Sequence, residues 1–419
     1  MIQFFYEHHK FFDELRDTMM EERRKRQLNN LGRLFALLDK LYPEIVQLRR
    51  YFHQYPELSF QEVETPKYIA AFHTKLGHEV QTNVGERGVV AKLKGGKPGK
   101  TIALRADFDA LPIQEERDVP YRSKVPGVMH ACGHDGHTAQ LLGLAKALNE
   151  MKEELHGTVV FIHQHAEEVP PGGAIDMIND GCLDGVDVIF GAHLWATDPF
   201  GTVLTKPGPL MAAADKFEIE IQGQGGHGGS PHTTKDAIVI GSQLVLNLQQ
   251  IVSRRINPQD PAVISIGSFE AVNAFNVIAD RAKLTGTVRT FNENTRLFIE
   301  KEIDRIARGT CFSADAMYQY TYSRGYPTLI NDEKMAEYIM NVAEQVPGVT
   351  DVQLAEPHMG AEDFSYYLQH VPGAFFFVGA ADPEWDIAYP HHHPKFSFDE
   401  RAMLVAAKVL GAAVLNYEK

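Results

Sequence analysis

The stretch Thr158-Val159-Val160-Phe161-Ile162 decides the fold class of this 419-residue chain, and it runs directly into His163-Gln164-His165-Ala166-Glu167-Glu168. A short, continuous run of β-branched and apolar residues is typical of a strand in a sheet that is covered on both faces. Histidines and carboxylates directly after such a strand lie where open α/β sheets place their sites, outside the strand's C-terminal end. The stretch therefore predicts a buried sheet and the edge at which its chemistry takes place.

The segments on both sides of this strand alternate between helix and strand patterns. Residues 138–155 carry leucines at helical spacing, and we expect Asp135 or Thr138 to cap that helix. Two further apolar strands are predicted, at residues 186–190, which lead to His193, and at residues 374–379. Alternating strands and helices indicate an α/β domain with a mainly parallel sheet.

A different pattern follows Pro207-Gly208-Pro209. Residues 216–221 and 282–289 alternate strictly between apolar and polar side chains, as in an antiparallel sheet with one solvated face. We therefore predict a smaller α+β domain at 211–322, inserted into a catalytic domain formed by 41–210 and 323–419. Residues 1–40 are predicted to be an N-terminal helical extension.

Composition excludes several classes of partner. The formal net charge of −14 argues against nucleic acid or an anionic membrane as the main partner. The chain has no apolar run of transmembrane length, and its first residues do not follow the pattern of a secretory signal. Three cysteines cannot form a disulfide framework, so we expect a reducing, cytoplasmic location in which a free thiol can bind metal.

The stretch Met129-His130-Ala131-Cys132-Gly133-His134-Asp135-Gly136-His137 contains one thiol and three imidazoles within nine residues. Cysteine and histidine are the preferred side-chain ligands of zinc-like ions. Gly133 tolerates the backbone turn that would bring Cys132 and His134 to one centre. The alternative interpretation is a buried cysteine beside surface histidines.

More ligand-type residues occur elsewhere in the chain. Five ligands exceed the four of a closed structural zinc site, and they suit two ions about 3.5–4 Å apart that share a bridging ligand and a water. An anionic bridge offsets two dications, so the Cys132 thiolate is the candidate. The candidate ligands are Cys132, His134, Glu168, His193 and one of His391, His392 and His393.

Glu167 is the candidate general base. Adjacent side chains diverge in extended backbone, so Glu168 can bind metal while Glu167 faces the water. The alternative for this acidic pair is a solvated loop. His227, flanked by glycines, is a candidate to stabilise an oxyanion, and the alternative is a glycine-rich turn with a surface histidine.

Five separated motifs of the chain resemble those of the M20 metallopeptidases, in the same order. The resemblance extends from about residue 41 to the C-terminus. Within this family the chain most resembles the amidohydrolase branch, which contains hippurate, N-acyl-amino-acid and indole-acetyl-amino-acid hydrolases. The motifs are Arg105-Ala106-Asp107-Phe108-Asp109-Ala110-Leu111-Pro112, His130-Ala131-Cys132-Gly133-His134-Asp135, Glu167-Glu168, Gly226-His227-Gly228-Gly229-Ser230-Pro231-His232 and His392-His393-Pro394.

The resemblance implies a catalytic α/β domain with an inserted ferredoxin-like lid, which is often the dimer contact, so a homodimer or higher homo-oligomer is expected. It implies that Cys132 bridges two metals and that Glu167 is the base. The His-x-Pro motif selects His392 as the last ligand, with His391 and His393 as alternatives. The other implied residues are His134, Glu168 and His193 as ligands, Asp109 as an orienting acid, His227 at the reacting carbonyl of its own or the partner subunit's site, and Asn276, Arg289 and Gly360 at the substrate carboxylate.

The function predicted from the sequence is hydrolysis of the amide bond of small N-acyl amino acids by a metal-activated water. Two divalent ions are expected, drawn from Mn, Zn, Co and Ni, because a Cys/His/Glu set accepts several first-row ions. One alternative is a dipeptidase or exopeptidase that uses the same two metals. A further alternative is a non-catalytic metal-binding protein.

Overall fold

The computed structural model describes residues 2–417, with side chains from Leu28 onward. The chain forms two compact units. The larger unit comprises Met1–Pro207, Asn331–Ala355 and Tyr367–Lys419, and the smaller unit comprises Gly208–Ile330 and Glu356–Tyr366. The sequence-based domain boundaries at 40, 211 and 322 stay a prediction.

The strands are numbered along the chain. They are β1 (Glu79–Val84), β2 (Gly88–Lys94), β3 (Lys97–Asp107), β4 (His156–Gln164), β5 (Val188–Pro199), β6 (Thr202–Thr205), β7 (Gly208–Met211), β8 (Ala213–Gln222), β9 (Gly226–His227), β10 (Ala262–Glu270), β11 (Val277–Ile278), β12 (Arg281–Thr290), β13 (Met317–Arg324), β14 (Leu329–Asn331), β15 (Asp351–Leu354) and β16 (Gly373–Ala381).

The helices are numbered in the same way. They are α1 (Ile2–Gln54), α2 (Glu64–Lys75), α3 (His134–Asn149), α4 (Ala174–Asn179), α5 (Ala237–Gln250), α6 (Glu293–Ser313), α7 (Glu333–Ala343), α8 (Phe364–Tyr367) and α9 (Arg401–Asn416). Within the part of the chain that the structure describes, no helix is long and apolar enough to cross a membrane.

The larger unit is built on an eight-stranded sheet in the order β1-β2-β4-β3-β5-β16-β6-β15. The pairs β3–β4, β3–β5, β5–β16 and β6–β15 are parallel, and the remaining pairs are antiparallel. The predicted α/β class with a mainly parallel sheet is therefore confirmed. Residues 159–164 of β4 are all buried, as expected for a strand covered on both faces.

Helices α1, α3 and α9 pack closely in the core of the larger unit. A Cβ atom added at Gly143 would lie 2.4 Å from Ile45 Cγ1, and one added at Gly411 would lie 2.7 Å from Leu34 Cδ2. Glycine at these two positions therefore permits a helix spacing that any larger residue would widen. Helix α1 runs without interruption through residue 40, and Leu31 is the first of its described side chains that is buried.

The smaller unit contains a four-stranded antiparallel sheet in the order β10-β12-β8-β13. Burial along β8 alternates residue by residue, so one face packs on a core and the other faces outward. Helices α5 and α6 contribute to the same core, which contains Phe217, Leu244, Leu284 and Ile303. Two short pairs, β9 with β11 and β7 with β14, form separate two-stranded sheets.

Candidate active site

The sheet of the larger unit brings several predicted site residues to one edge. Strand β3 ends at Asp107, two residues before Asp109, and β4 ends at Gln164, three residues before Glu167. Because β3 is parallel to both β4 and β5, these strands finish at the same edge. His193 lies inside β5, which continues to Pro199, so the strand predicted to end before this histidine is longer than its sequence pattern indicates.

Helix α3 adds the next residue at this edge. It begins at His134, and its N-cap is Gly133, whose φ of 105° lies in the left-handed region that glycine adopts most readily. The predicted caps were wrong, because neither Asp135 nor Thr138 caps the helix. The Asp135 carboxylate forms an ion pair with Arg49, and the Thr138 hydroxyl donates to the Asp107 carbonyl.

Two groups of metal-ligand atoms share the sulfur of Cys132. One group contains His134 and Glu168, and the other contains His193 and His391, with the ligand atoms of each group within 4.8 Å of one another. Cys132 Sγ lies 3.5 Å from His193 Nε2 and 3.7 Å from His391 Nδ1. The soft thiol, the imidazoles and the carboxylate form a donor set that suits first-row divalent ions.

Two buried polar atoms of the first group have no hydrogen-bond partner among the described residues. They are His134 Nε2 and Glu168 Oε1, and they lie 3.8 Å apart. Buried polar atoms without partners are rare, and the binding of an ion is one of the accepted reasons for them. A shared cation would satisfy both atoms, so the residues fit a metal centre.

Asp109 holds both of these ligands in place. One carboxylate oxygen accepts from His134 Nδ1 at 3.0 Å, which leaves Nε2 of that ring free to bind metal. The other oxygen accepts from the Glu168 backbone N–H at 3.0 Å and from the Ser59 hydroxyl at 2.7 Å. This geometry fits the predicted role of Asp109 as an acid that orients the two candidate ligands, and that role stays a prediction.

His137 and Asp107 form a second support that the sequence analysis did not assign. His137 Nδ1 donates to Asp107 Oδ1 at 2.7 Å, and His137 Nε2 accepts from the Leu194 backbone N–H at 3.0 Å. Arg105 pairs with the same carboxylate at 2.6 Å. The contact fixes the backbone beside His193. In the sequence, Asp107 stands in the first of the five motifs, and His137 stands only at the end of the Cys/His stretch.

The three consecutive histidines near the C-terminus lie in different environments. His391 Nε2 accepts from the Ala196 backbone N–H at 3.2 Å, so its proton is on Nδ1, which faces the carbonyl and sulfur of Cys132. His392 has a φ of 65°, and its Nε2 lies 3.3 Å from Glu168 Oε2. In this arrangement His391 has no lone pair directed at the sulfur, whereas His392 directs a ring nitrogen to Glu168.

Local charge differs sharply between the candidate ligands. Burial, followed by the carboxylates of Glu168 and Glu167, raises the pKa of the Cys132 thiol well above its ordinary value. Burial lowers the pKa of His134, but Asp107, Asp109 and Glu168 together outweigh it and raise that pKa to about 10. Burial, followed by His137, lowers the pKa of His193 well below its ordinary value. This edge of the sheet therefore combines the neutral imidazole of His193 with several carboxylates close to Cys132 and His134. A neutral nitrogen ligand and an excess of negative charge together favour the binding of cations.

Glu167 is buried, with its Oε2 4.0 Å from His134 Nε2. The residue before it, Ala166, has a φ of 51°, and its N–H donates to Glu62 Oε1 at 2.9 Å. Burial, followed by the charge of Asp109, raises the pKa of Glu62 to about 8. Glu62 thus secures the turn that leads into the acidic pair, a role that no local sequence pattern indicated.

Four predicted site residues belong to the smaller unit. His227 in β9 pairs with Val277 in β11, and the Gly228 N–H donates to the Asn276 carbonyl at 2.7 Å, so His227 and Asn276 lie together. Arg289 in β12 donates to the Val288 carbonyl at 3.1 Å. The Gly360 carbonyl accepts from the Ala212 N–H at 3.0 Å. The catalytic and substrate-binding roles of these residues stay predictions.

Comparison with known proteins identifies the family. The pattern of the Peptidase family M20/M25/M40 matches residues 103–416. The crystal structure of a Bacillus subtilis protein, described as a dinuclear metal-binding peptidase from the M20 family, is 37% identical with a TM-score of 0.77. That alignment covers 90% of this chain and 98% of the other.

Three curated relatives carry hydrolase names. YhaA of Bacillus subtilis (strain 168), an amidohydrolase by name, is 58% identical over 91% of this chain and 96% of its own length. An N-acyl-L-amino acid amidohydrolase of Geobacillus stearothermophilus is 45% identical, and the alignment covers 70% of this chain and 80% of the relative. Thermostable carboxypeptidase 1 of Saccharolobus solfataricus is 42% identical, and the alignment covers 87% of this chain and 92% of the relative. The chain belongs to the Peptidase family M20/M25/M40, in its amidohydrolase branch, and is a hydrolase that acts on amide bonds.

Proposed function

We propose that this enzyme hydrolyses the amide bond of N-acyl amino acids and releases a carboxylate and a free amino acid. The observation that carries the proposal is the position of Cys132 Sγ, which groups with ligand atoms of His134 and Glu168 and lies 3.5 Å from His193 Nε2, with the buried carboxylate of Glu167 beside them. The name of the Geobacillus relative supports this substrate class.

The proposed ligands are Cys132 as the bridge, with His134, Glu168, His193 and His392. The hydrogen bond from Ala196 to His391 supports His392 over His391, because it occupies the lone pair of His391. Two divalent ions at these residues would lower the pKa of a water molecule and polarise the acyl carbonyl. Mn, Zn, Co and Ni all suit the donor set.

Glu167 is proposed as the group that moves the proton. Its carboxylate accepts a proton as the water oxygen bonds to the acyl carbon, and it then delivers that proton to the leaving nitrogen as the C–N bond breaks. Burial keeps the carboxylate within a restricted space, and Asp109 fixes the neighbouring Glu168 through its backbone N–H. His227 at the reacting carbonyl, and Asn276, Arg289 and Gly360 at the substrate carboxylate, complete the proposal.

A screen of substrates on the metal-reconstituted enzyme tests the proposal. We expect hydrolysis of acetyl- and benzoyl-amino acids, measured by release of the free amino acid, with each of the four metals supplied in turn. The matched substrates are dipeptides that share the C-terminal amino acid but carry a free ammonium. Turnover of the dipeptides without turnover of the acyl amino acids would contradict the proposal.

A second candidate function is a carboxypeptidase or dipeptidase on the same residues. The Saccharolobus relative, which is named a carboxypeptidase, favours this alternative. The two activities differ in the group on the N-terminal side of the cleaved bond, since a dipeptidase must accommodate an ammonium and an acylase an uncharged acyl group. The dipeptide arm of the same screen therefore separates them.

Assembly and location are also proposed rather than observed. We propose a homo-oligomer that forms through the smaller unit, and a cytoplasmic location consistent with three free cysteines.

A further inference from the structure

Residues 57–62 lie between α1 and α2, and they contact the chain just after β3. The Glu57 carbonyl accepts from the Ala110 backbone N–H at 2.8 Å. The buried Ser59 hydroxyl donates to Asp109 Oδ2 at 2.7 Å. We call residues 57–62 the bracing segment, because they support the part of the chain that carries Asp109 into the candidate site.

The bracing segment also reaches the turn after β4, through Glu62. Glu62 is 1% exposed, and its Oε1 accepts from the backbone N–H of the fully buried Ala166 at 2.9 Å. Arg87 Nη1 donates to the Glu62 carbonyl at 2.9 Å, so the backbone of Glu62 is held as well. Loss of the Glu62 acceptor would leave the Ala166 N–H buried without this bond, which is costly.

Both sides of this contact contain a residue in the left-handed backbone region. Phe60 has a φ of 62° and Ala166 a φ of 51°. Residues with a Cβ adopt this region only at an energetic cost, so surrounding contacts must hold them there. The Phe60 ring meets the His165 ring edge-on at 5.9 Å between centroids, and the Gly173 N–H donates to the Ala166 carbonyl at 3.1 Å. The turn at Ala166 is therefore imposed by its partners.

Glu167 lies between two backbone groups that are bound by different carboxyl groups. On one side the Ala166 N–H donates to Glu62, and on the other the Glu168 N–H donates to Asp109 at 3.0 Å. The bracing segment supplies the first acceptor, and its serine donates to the second. The direction of the Glu167 side chain thus depends on a segment that is distant along the chain.

We propose that Glu62 is a positioning residue for amide hydrolysis, which sets the direction of the Glu167 carboxylate by holding the turn at Ala166. The inference rests on the proposed role of Glu167 as the group that moves the proton. A displacement of a reacting group by about 1 Å can lower a rate by about 10²-fold, so loss of this one hydrogen bond should lower kcat. Metal binding should change little, because Glu168 keeps its own bond to Asp109.

Two variants at position 62 test the role by steady-state kinetics on an N-acetyl amino acid. Burial, followed by the charge of Asp109, raises the pKa of Glu62 to about 8, so the carboxyl is largely neutral near neutral pH and the amide of E62Q is a close match that keeps the acceptor. E62M has a similar length but lacks an oxygen acceptor. We expect kcat to fall by about 10- to 100-fold in E62M with KM within about twofold of the wild type, and kcat of E62Q to stay within about threefold.

Metal content and unfolding in urea are measured beside the kinetics, so that each rate refers to folded, metal-loaded enzyme. E64M is the matched control, because Glu64 is exposed at the start of α2 and pairs with Lys67, and it should keep wild-type kinetics. If E62M does not fold, E62D makes the same comparison with E62Q. It keeps a carboxyl group, but its shorter side chain withdraws the acceptor from the Ala166 N–H.

A double variant shows whether Glu62 acts through Glu167. In E167Q the side chain no longer accepts the proton, so its direction should matter little. Adding E62M to E167Q should therefore lower the remaining turnover by less than about twofold. A purely structural role of Glu62 would lower turnover by the same factor in both backgrounds.

Three results would overturn the positioning role. They are an unchanged kcat in E62M, an equal loss in E62M and E62Q, and a loss in the double variant, relative to E167Q, as large as that in E62M alone. Failure of the proposed function has a different sign. Wild-type turnover in E167Q would remove Glu167 from the mechanism and this inference with it, whereas an unaffected E62M beside an inactive E167Q would overturn only the role of Glu62.

Discussion

Glu167 and Glu168 stand next to each other in the chain but have different surroundings. The Glu168 backbone is fixed by Asp109, and its side chain lies near both His134 and His392. The turn at Ala166, which Glu62 secures, sets the direction in which the pair enters the site. Two identical side chains can therefore serve as a ligand and as a base.

We predict that E167Q keeps its metal and loses turnover. The amide has nearly the same shape as the carboxylate but cannot accept the proton, so turnover should fall by about 10²–10⁴-fold. Metal content by atomic spectroscopy and turnover of an acyl amino acid check the prediction. E64Q, at an exposed site on α2, is the control. Wild-type turnover in E167Q would remove Glu167 from the mechanism.

We predict that D109N weakens metal binding. The asparagine still reaches His134 but no longer provides the negative charge that orients the imidazole N–H, so affinity should fall by about tenfold to hundredfold. Competition with a chromophoric chelator measures the change. An affinity equal to that of the wild type would show that Asp109 does not support the ligands.

At the scale of elements, α1 and α3 are joined by a buried ion pair. Arg49 is 1% exposed, pairs with Asp135 at 2.8 Å and lies over the rings of Tyr121 and Phe398. Asp135 also contacts His53 at 2.9 Å, and it follows the candidate ligand His134 in the first turn of α3. The contact thus links the N-terminal helix to the start of α3, which carries the candidate ligand His134.

We predict that R49M destabilises the larger unit by about 3–5 kcal/mol, because Asp135 would remain buried without its main counter-charge. Unfolding in urea, followed by circular dichroism, measures the loss. The neighbouring variant R50M is the control, since Arg50 pairs with Glu400 at the surface and such pairs contribute about 1 kcal/mol or less. Equal losses in the two variants would contradict the importance of the buried pair.

Helix α2 and strand β4 meet at His73 and His163, where burial lowers the pKa of His73 to about 2 and that of His163 to about 3. The unfolded chain titrates at about 6.5, so below that pH it binds more protons than the folded chain. Stability is therefore complete above about pH 6.5 and falls as the pH falls toward 3, by about 1.4 kcal/mol per pH unit for each histidine.

We predict that H163F has a shallower decline of unfolding free energy with acidification than the wild type, because one of these titrating groups is absent. Urea unfolding at a series of pH values measures the slope. H370F, at an exposed position of the larger unit, should keep the wild-type slope. A slope in H163F equal to that of the wild type would show that His163 does not titrate on unfolding.

At the scale of the whole molecule, the fold class could be predicted because the patterns that indicate it, apolar runs and alternation of apolar and polar residues, are each contained in a short segment of sequence. The apolar run in β4 and the alternation in β8 are each visible within ten residues. The proximity of three candidate ligands could be expected for a related reason, since Cys132, His134 and Glu168 stand in short motifs and their ligand atoms lie within 4.8 Å of one another. Parallel strands then bring those motifs to one edge.

The supporting contacts could not be predicted in this way. Arg49 is 86 residues from Asp135 along the chain, and Glu62 is 104 residues from Ala166. Neither local pattern nor motif spacing encodes such pairings, which arise only when the elements pack. The same limit explains the incorrect helix caps, since Asp135 and Thr138 have partners on α1 and β3.

The position of Cys132 in both groups of ligand atoms affects how the enzyme would lose activity during storage. A thiol oxidised by peroxide no longer binds metal as a thiolate does. In the proposed centre one sulfur would serve both ions, so a single oxygen atom added to it would disable the entire centre at once. Preparations exposed to air would then be mixtures of fully active and inactive molecules. Their specific activity would be proportional to the fraction of molecules in which the Cys132 thiol is unoxidised.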